Sequence, residues 1–287
     1  MYDTALIALD ISPAEAAMLD CLDDLRAMGV ARVVLVHVVR TGWTQGAALA
    51  RRDDYADWLE GHAAPLRAAG LEVTADVRAA LEPAAEILAA AAEHGANLIV
   101  IGSRGQSMIR GVFLGSTARE VLRDSPLPVR LEWIEADGSD DAPVCARACD
   151  GGLRRVLLAT DFSTQARGAE DAAVALARHA GSVTLLHVTD AQEAARYTRW
   201  PVMARAALDA IADEIAAAGG RAEPNVAKGK PSEEIARLAG ESDADLIVVG
   251  KHGQGWVASV IIGSTAANLC EIARRPVLMV PTPGAKG

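Results

Sequence analysis

Short apolar runs and longer alanine-rich segments alternate along the first half of the chain. The runs are rich in β-branched residues, as strands are, whereas the apolar residues of the longer segments recur with a helical period. The predicted strands are residues 4–10, 32–39, 72–78, 97–102 and 128–133. The predicted helices are residues 13–28, 47–69, 83–94 and 116–124. This alternation predicts a parallel sheet covered by helices on both faces.

The second half of the chain shows the same alternation. Its predicted strands are residues 154–160, 182–188, 222–227, 245–250 and 277–281. Its predicted helices are residues 164–180, 191–218, 231–241 and 264–273. Strand runs such as VVLVHVV in the first half are apolar at consecutive positions, so we expect both faces of these sheets to be buried.

The two halves are copies of one another. The run ALIALDIS matches VLLATDFS and places Asp10 against Asp161, and the run VVLVHVV matches VTLLHVT and places His37 against His187. NLIVIG and DLIVVG also match, and the matched positions lie 148 to 151 residues apart. Because three separate runs recur in the same order, an internal duplication explains the pattern.

A segment without apolar periodicity separates the two copies. Residues 135–152, EADGSDDAPVCARACDGG, are acidic and small, which is typical of a linker. A chain of 287 residues has room for two domains of ordinary size. We therefore predict one α/β domain over residues 1–134 and a second over residues 153–287.

Each copy carries the same spacing of glycines after its fourth strand. GSRGQSMIRGVFLGST begins at Gly102 and GKHGQGWVASVIIGST begins at Gly250, and both read Gly-x-x-Gly, nine residues, then Gly-Ser-Thr. In an open parallel sheet, ligands bind outside the carboxyl ends of the strands. Glycine there permits positive φ and lets a ligand approach the backbone, and the N–H groups at a helix start attract anions. Each of these two segments, called a glycine element below, therefore predicts a phosphate-binding site.

These motifs resemble the ATP-binding motif of the universal stress protein family. The aspartate that ends the first strand and the Leu/Val-His-Val of the second fit the same family. The resemblance covers both copies and essentially the whole chain outside the linker. It implies two tandem Rossmann-like domains of the adenine nucleotide alpha-hydrolase-like type, each of which binds ATP. We expect Mg²⁺ to strengthen the binding of ATP by neutralising charge on its outer phosphates.

In the first copy the resemblance implies a nucleotide site made of the strand ends and the glycine element. Asp10 would accept a hydrogen bond from adenine, while Val38 and Ile101 would pack along the nucleoside. Arg104 stands where relatives often have histidine, and its guanidinium can pair with phosphate. The residues that would hold the ribose and phosphates are Gly102, Gly105, Gly115, Ser116 and Thr117.

In the second copy the resemblance implies a matching site. Asp161 would accept the hydrogen bond from adenine, while Val188 and Val249 would pack along the nucleoside. His252 keeps the histidine that is frequent in the family, and Lys251 adds a cation. The residues that would hold the ribose and phosphates are Gly250, Gly253, Gly263, Ser264 and Thr265.

The repeated acids and histidines also have simpler interpretations. Asp10 and Asp161 could cap the helices that follow them, although the serine two residues later would suffice for that. His37 and His187 lie in apolar strands without cysteines or carboxylates at ligand spacing, which favours a structural role at the rim of the sheet over metal binding. We predict no catalytic residue and no metal site.

Composition and charge exclude several classes of protein. The net charge of −10 argues against nucleic-acid binding, which demands clustered Lys and Arg. No run reaches the roughly 18 apolar residues of a membrane span, and the start MYDTALIALD lacks the basic segment of a signal peptide. The four cysteines are too scattered for a disulfide framework. These features predict a cytoplasmic protein without nucleic-acid or membrane partners.

The motifs favour an ATP-binding regulatory module of the stress response over an enzyme. Neither glycine element offers a base that could align water on a γ-phosphate, and no Walker sequence occurs, so slow ATP hydrolysis is the most we expect. One alternative is a nucleotide-free interaction protein of the same fold. Another is a dinucleotide-dependent enzyme, because GQGWVA fits Gly-x-Gly-x-x-Ala. Against that alternative, the first copy reads GQSMIR, and the segment follows the fourth strand instead of the first.

The fifth strand of each copy is expected at an edge of its sheet. These strands are PVRLEW, residues 128–133, and PVLMVP, residues 276–281. An edge strand leaves N–H and C=O groups unpaired, which favours association. Single-domain universal stress proteins often dimerise through these edges, so the resemblance implies an internal pseudo-dimer within one chain. A homodimer of chains through the tryptophan-bearing second helices is a further expectation.

We predict that cysteines placed at Leu131 and Leu278 form an intrachain disulfide, because antiparallel pairing of the two edges would bring these strands together. Non-reducing electrophoresis of the oxidised protein would detect the crosslinked monomer. Crosslinks that form only between chains, or none in any neighbouring register, would contradict the internal pseudo-dimer.

Overall fold

The computed structural model describes most of the chain in nine ranges. They are residues 1–12, 14–19, 22–41, 52–104, 114–136, 143–145, 152–189, 199–254 and 262–282. The chain divides into two compact units, Met1–Cys145 and Ala146–Gly287. Each unit is described by itself.

The first unit is built on a parallel five-stranded sheet with helices in its connections. Its strands are β1 (Thr4–Ala8), β2 (Arg32–Arg40), β3 (Glu72–Ala80), β4 (Leu98–Gly102) and β5 (Val129–Glu132). Its helices are α1 (Ala14–Leu19), α2 (Leu22–Ala27), α3 (Arg52–Ala68), α4 (Pro83–Glu93) and α5 (Ser116–Asp124). The strands pair in the order β5-β4-β1-β2-β3, and every pair is parallel.

The second unit repeats this arrangement. Its strands are β8 (Arg155–Ala159), β9 (Ser182–Thr189), β10 (Ala222–Lys228), β11 (Leu246–Gly250) and β12 (Val277–Val280). Its helices are α6 (Arg167–Leu176), α7 (Trp200–Ala217), α8 (Pro231–Glu241) and α9 (Ser264–Ile272). The order is β10-β9-β8-β11-β12, again with parallel pairs. The predicted fold class, two α/β domains with parallel sheets, is confirmed.

In both sheets the strand order reverses beside the first strand of the unit. β1 lies between β2 and β4, and β8 lies between β9 and β11. The register places Ala8 beside Ile101 in the first unit and Ala159 beside Val249 in the second. Such a reversal opens a crevice outside the carboxyl ends of the strands. The first and fourth strands therefore end together at one crevice in each unit.

The fourth strand of each unit is buried at every residue. β4 reads LIVIG and β11 reads LIVVG, and neither strand has an exposed position. Side chains alternate between the two faces of a strand, so both faces of these strands are covered. This burial agrees with the prediction made from consecutive apolar residues.

Some predicted helices differ from the described ones. The predicted helix over residues 13–28 is described as two six-residue helices, α1 and α2. The predicted helix over residues 164–180 begins only at Arg167, because the preceding residues form a turn in which the Ala166 N–H donates to the Ser163 carbonyl at 3.0 Å. The predicted starts of the helices at 47–51 and 191–198 lie outside the described residues.

Part of the predicted linker belongs to a small antiparallel sheet. β6 (Ile134–Ala136) pairs with β7 (Pro143–Cys145). Ser103, at the end of β4, holds the start of this pair, because its Oγ accepts a hydrogen bond from the Ile134 N–H at 2.9 Å. The other linker residues, 137–142 and 146–151, lie outside the described ranges.

A fully buried charged cluster anchors β5 of the first unit. The Arg130 guanidinium donates to Glu132 and, at 3.0 Å, to Asp24, and none of the three side chains is more than 1% exposed. Burial raises the pKa of Glu132, because water no longer stabilises its charge. The second copy has Leu278 and Val280 where the first has Arg130 and Glu132. The same place in the fold is therefore charged in one unit and apolar in the other.

We predict that Arg130→Leu lowers the free energy of unfolding of the first unit by about 3–5 kcal/mol, because two buried carboxylates lose their counter-charge. Urea denaturation followed by circular dichroism would measure the loss. The matched control is the triple variant Asp24→Leu/Arg130→Leu/Glu132→Val, which replaces all three charged side chains by apolar ones and should lie within about 1 kcal/mol of wild type or above it. A single variant as stable as the triple one would contradict this account.

Candidate nucleotide-binding site

The second unit contains a pocket of about 540 Å³ between the ends of β8, β9 and β11 and the start of α9. All ten residues predicted for the site of the second copy line this pocket. They are Asp161, Val188, Val249, Gly250, Lys251, His252, Gly253, Gly263, Ser264 and Thr265. The structure thus brings the acid after the first strand, the glycines and the helix start to one cavity.

The first unit has the equivalent pocket, with a volume of about 460 Å³. Eight of the nine residues predicted for the first copy line it. They are Asp10, Val38, Ile101, Gly102, Arg104, Gly115, Ser116 and Thr117. The ninth, Gly105, lies outside the described residues.

Several pocket residues were not among the predicted site residues. Tyr55 lines the first pocket, and Thr160 and Gln254 line the second. His37 and His187, for which we expected a structural role, also line the two pockets. The recurrence of the two histidines at the same place in both copies was a usable signal. Tyr55 gives no such signal, because Arg205 stands 150 residues later.

The first glycine of each motif is required by close packing and not by backbone conformation. Glycine permits positive φ, but neither Gly102 nor Gly250 adopts it. A Cβ on Gly102 would lie 3.1 Å from the Arg104 main-chain oxygen, and one on Gly250 would lie 3.0 Å from that of His252. The chain folds back directly after the strand, so an added Cβ would press on main-chain atoms and the backbone would have to shift by a few tenths of an ångström.

Gly115 and Gly263 begin the helices that close the pockets. They are the N-caps of α5 and α9, with φ of −66° and −68°. Their N–H groups donate to the carbonyls of Ser103 and Lys251, both at 2.8 Å, which fixes the entry of each helix. The first N–H bonded within each helix comes four residues after the cap. The three N–H groups between them have no partner within the helix and are suited to an anion.

The carboxylate of Asp161 ties the end of β8 to the glycine loop. Its Oδ1 accepts hydrogen bonds from the Ser163 N–H at 3.0 Å and the Ser163 hydroxyl at 2.6 Å. Its Oδ2 accepts from the Gln254 N–H at 2.7 Å, and the Gln254 side-chain amide donates to the Asp161 carbonyl at 2.6 Å. These bonds lie outside α6, which begins only at Arg167. In the first unit, the Ser12 hydroxyl donates to Asp10 Oδ1 at 2.7 Å.

The two pockets carry different cations. Lys251 lines the second pocket and is 93% buried, next to His252, whose Nδ1 lies 3.2 Å from Thr282 Oγ1. Arg40 and Arg104 line the first pocket. A guanidinium can bind a phosphate through two parallel hydrogen bonds, whereas an ammonium acts as a point charge. Both arrangements favour an anionic ligand, by different chemistry.

The two histidines in the pockets are held by main-chain carbonyls. His187 Nδ1 lies 3.0 Å from the Thr160 oxygen, and His37 Nδ1 lies 2.9 Å from the Leu9 oxygen. A carbonyl only accepts, so Nδ1 carries the proton in both rings. The Trp200 indole N–H donates to His187 Nε2 at 3.1 Å, so that nitrogen is an acceptor and the ring is neutral. With both nitrogens engaged, His187 has the structural role that we expected.

Two further properties follow from the described part of the chain. Its His, Cys, Asp and Glu residues form no group of three that could hold a metal ion. Among its helices, none has both the length and the apolar character needed to cross a membrane.

We predict that Gly253→Ala destabilises the second unit by about 1.5–3 kcal/mol, the cost of losing a hydrogen bond to a charged group. A Cβ at this position would overlap Asp161 Oδ2, and the carboxylate would have to leave Gln254. Thermal and urea unfolding would measure the change.

The control for this prediction is a double-mutant cycle with Asp161→Ala. If the overlap with the carboxylate causes the loss, Gly253→Ala should cost little in the Asp161→Ala background. Gly240→Ala, in α8 with no atom within 4 Å of the added Cβ, should instead be neutral or stabilising. An equal cost of Gly253→Ala in both backgrounds would refute the explanation.

The sequence matches the profile of the universal stress protein family twice, over residues 1–131 and 152–281. It is 31% identical over 146 residues to the universal stress protein YxiE of Bacillus subtilis, and this alignment covers 46% of this chain and 99% of that protein. It is 25% identical over 159 residues to the universal stress protein MJ0577 of Methanocaldococcus jannaschii, and this alignment covers 44% of this chain and 94% of that protein. Each of these two alignments spans about one half of the chain.

The fold also matches a solved structure along its whole length. The crystal structure of a universal stress protein from Archaeoglobus fulgidus covers 99% of this chain and is itself covered to 98%, with a TM-score of 0.75 and 24% identity. At that identity the likeness concerns the fold. The two profile matches account for both repeated halves, so the chain belongs to the universal stress protein family and contains two of its domains in tandem.

Proposed function

We propose that the chain binds an adenine nucleotide in each of its two pockets and acts as a nucleotide-dependent regulatory module of the stress response. The observation that carries the proposal is the convergence of the predicted residues in one cavity per unit. Volumes of about 540 and 460 Å³ fall within the range of small-molecule sites, roughly 300–1,000 Å³. The proposed ligand is ATP, with Mg²⁺ on its phosphates.

The base is proposed to bind between the ends of the first and second strands. Asp161 follows β8 and would accept a hydrogen bond from the adenine amine, while Val188 of β9 lines the same wall. The Asp161 carboxylate already accepts three hydrogen bonds, and a carboxylate has about four acceptor positions. One position therefore remains for the amine. Asp10 and Val38 would act in the same way in the first pocket.

The phosphates are proposed to bind at the helix start. The N–H groups at the first turns of α5 and α9 and the hydroxyls of Ser116 and Ser264 offer donors, and the helix dipole favours negative charge. Lys251 would supply the cation in the second pocket, and Arg104 in the first. We propose no catalytic residue. The pairing of the two domains as an internal pseudo-dimer, expected from the family resemblance, stays a proposal.

Calorimetric titration with ATP should give two equivalents for the wild type and one for each of Gly115→Val and Gly263→Val. A valine at either position places a branched side chain at the helix start that would hold the phosphates. A Cβ at Gly115 makes only ordinary contact, 3.6 Å from the Ser103 oxygen, so this variant should fold normally. Gly240→Ala, away from both pockets, should keep two equivalents.

The same titration with and without Mg²⁺ tests whether the ligand is a triphosphate. Mg²⁺ should strengthen the binding of ATP more than that of AMP, because the metal neutralises the outer phosphates. Equal affinity for ATP in both conditions would count against a triphosphate ligand. No binding of ATP, ADP or AMP would favour the nucleotide-free interaction protein instead.

A further inference from the structure

The end of β5 is joined to the start of α5 by two main-chain hydrogen bonds. The Ser103 N–H donates to the Glu132 carbonyl at 2.7 Å, and the Gly115 N–H donates to the Ser103 carbonyl at 2.8 Å. Ser103 and Gly115 line the first pocket, and Gly115 is the N-cap of α5, the helix start at which the phosphates are proposed to bind. The position of that helix start therefore depends on the backbone of Glu132.

The second unit has the same two bonds, but its strand ends in an apolar residue. The Lys251 N–H donates to the Val280 carbonyl at 2.7 Å, and the Gly263 N–H donates to the Lys251 carbonyl at 2.8 Å. Val280 stands where the first unit has Glu132. The two pockets therefore share one main-chain connection, which leads to an ionisable residue in the first unit and to a residue that cannot ionise in the second.

The charges of the buried cluster around Glu132 do not balance. Arg130 carries one positive charge, whereas Asp24 and Glu132 carry two negative charges when both are ionised, and none of the three side chains is more than 1% exposed. Within the described part of the chain, Asp24 Oδ1 and Glu132 Oε2 are buried without a hydrogen-bond partner. An unbalanced buried charge is costly, and a buried carboxyl group takes up a proton instead.

The surroundings of Glu132 favour its protonated form. Burial is the largest influence on its carboxyl group, and Asp24 of α2 repels a negative charge there, whereas Arg130 of β5 attracts one. β4, the strand beside β5, has no ionisable side chain. In the ranges that the structure describes, Asp24 and Arg130 are the charged groups that act on this carboxyl. Burial and Asp24 together outweigh Arg130, so the pKa of Glu132 is raised above its ordinary value.

We propose that Glu132 holds a proton in the nucleotide-binding form of the first unit, so that its ionisation at higher pH weakens binding in the first pocket. With the proton, the cluster contains one positive and one negative charge. Without it, Asp24 and Glu132 repel each other at the end of β5, whose carbonyl holds Ser103 and through it the helix start. This regulation rests on the proposed function and adds to it a response to pH that Val280 cannot give the second pocket.

The same proton contributes to the stability of the first unit. The pKa of Glu132 is higher in the folded chain than in the unfolded one, so folding takes up a proton. This contribution is complete below the ordinary range of a glutamate, about pH 4.3, and is lost as the pH rises through the raised value. One proton changes an equilibrium constant by at most about tenfold per pH unit. Stability and ATP affinity should therefore both fall with rising pH.

The test measures ATP binding at one pocket of the full chain by calorimetry, between about pH 5 and about pH 9. Gly263→Val leaves the first pocket, and Glu132→Gln is added to it, because an amide has the shape of the protonated acid and cannot ionise. ATP itself titrates equally in both experiments, so the ratio of the two dissociation constants reports on Glu132. We expect a ratio near one at the acid end. As Glu132 ionises, the glutamine variant should bind more tightly by up to about tenfold per pH unit.

The controls separate the proton from other effects of the substitution. Glu132→Gln in the Gly115→Val background, which leaves the second pocket, should not change ATP binding at any pH. The triple variant Asp24→Leu/Arg130→Leu/Glu132→Val, combined with Gly263→Val, should show the pH dependence of the glutamine variant, and it replaces that variant if circular dichroism shows that Glu132→Gln does not fold. Urea denaturation of the wild type and Glu132→Gln over the same range measures the proton taken up on folding.

A ratio that stays constant across the pH range would overturn the regulation. If the urea stabilities still diverged with pH, the proton would be present without control over the pocket, and the regulation would be overturned as well. An equal effect of Glu132→Gln on both pockets would have the same consequence. In these three cases ATP still binds and the proposed function stands. If neither single-pocket protein binds ATP at any pH, the proposed function fails and the regulation fails with it.

Discussion

The reversal of strand order beside β1 and β8 is the constraint on which both pockets depend. Helices cover a parallel sheet wherever consecutive crossovers run in the same direction, and they leave a crevice where the direction changes. The first and fourth strands of each unit end at that crevice, with Ala8 beside Ile101 and Ala159 beside Val249. The acid after the first strand and the glycines after the fourth thus meet because β1 pairs with β4 and β8 pairs with β11.

The glycine element makes the crevice suitable for binding an anion. The chain turns back so closely after Gly102 and Gly250 that a Cβ would lie about 3 Å from a main-chain oxygen two residues later. Further along the chain, Gly115 and Gly263 start helices whose first N–H groups have no helical partner. The glycines of one motif therefore serve both close packing at the strand end and anion affinity at the helix start.

The two units keep these glycines while exchanging polar and apolar groups elsewhere. The first unit buries Arg130 with two carboxylates where the second has Leu278 and Val280, and the second buries Thr160 and Glu170 where the first has leucines. A protein with a buried polar group and one with an apolar group of similar volume in its place can be close in stability, provided that the polar group is paired. Such exchanges leave the fold intact. The side chains that line the two pockets also differ, with a lysine in one and arginines in the other.

The sequence by itself determined the two-domain α/β organisation and the grouping of the predicted site residues. Runs such as LIVIG and the repeated Gly-Ser-Thr carry local information about strand burial and helix starts, so their placement could be predicted. Only the tertiary structure decided that Gly102 and Gly250 are needed for space and not for positive φ, because the oxygens they approach are defined by the folded path. It also decided that residues of the acidic linker form part of the strands β6 and β7. Tyr55 in the first pocket and the Thr160–Glu170 bond could not be predicted either, since these contacts depend on how a helix is set against the sheet and leave no periodic trace in the chain.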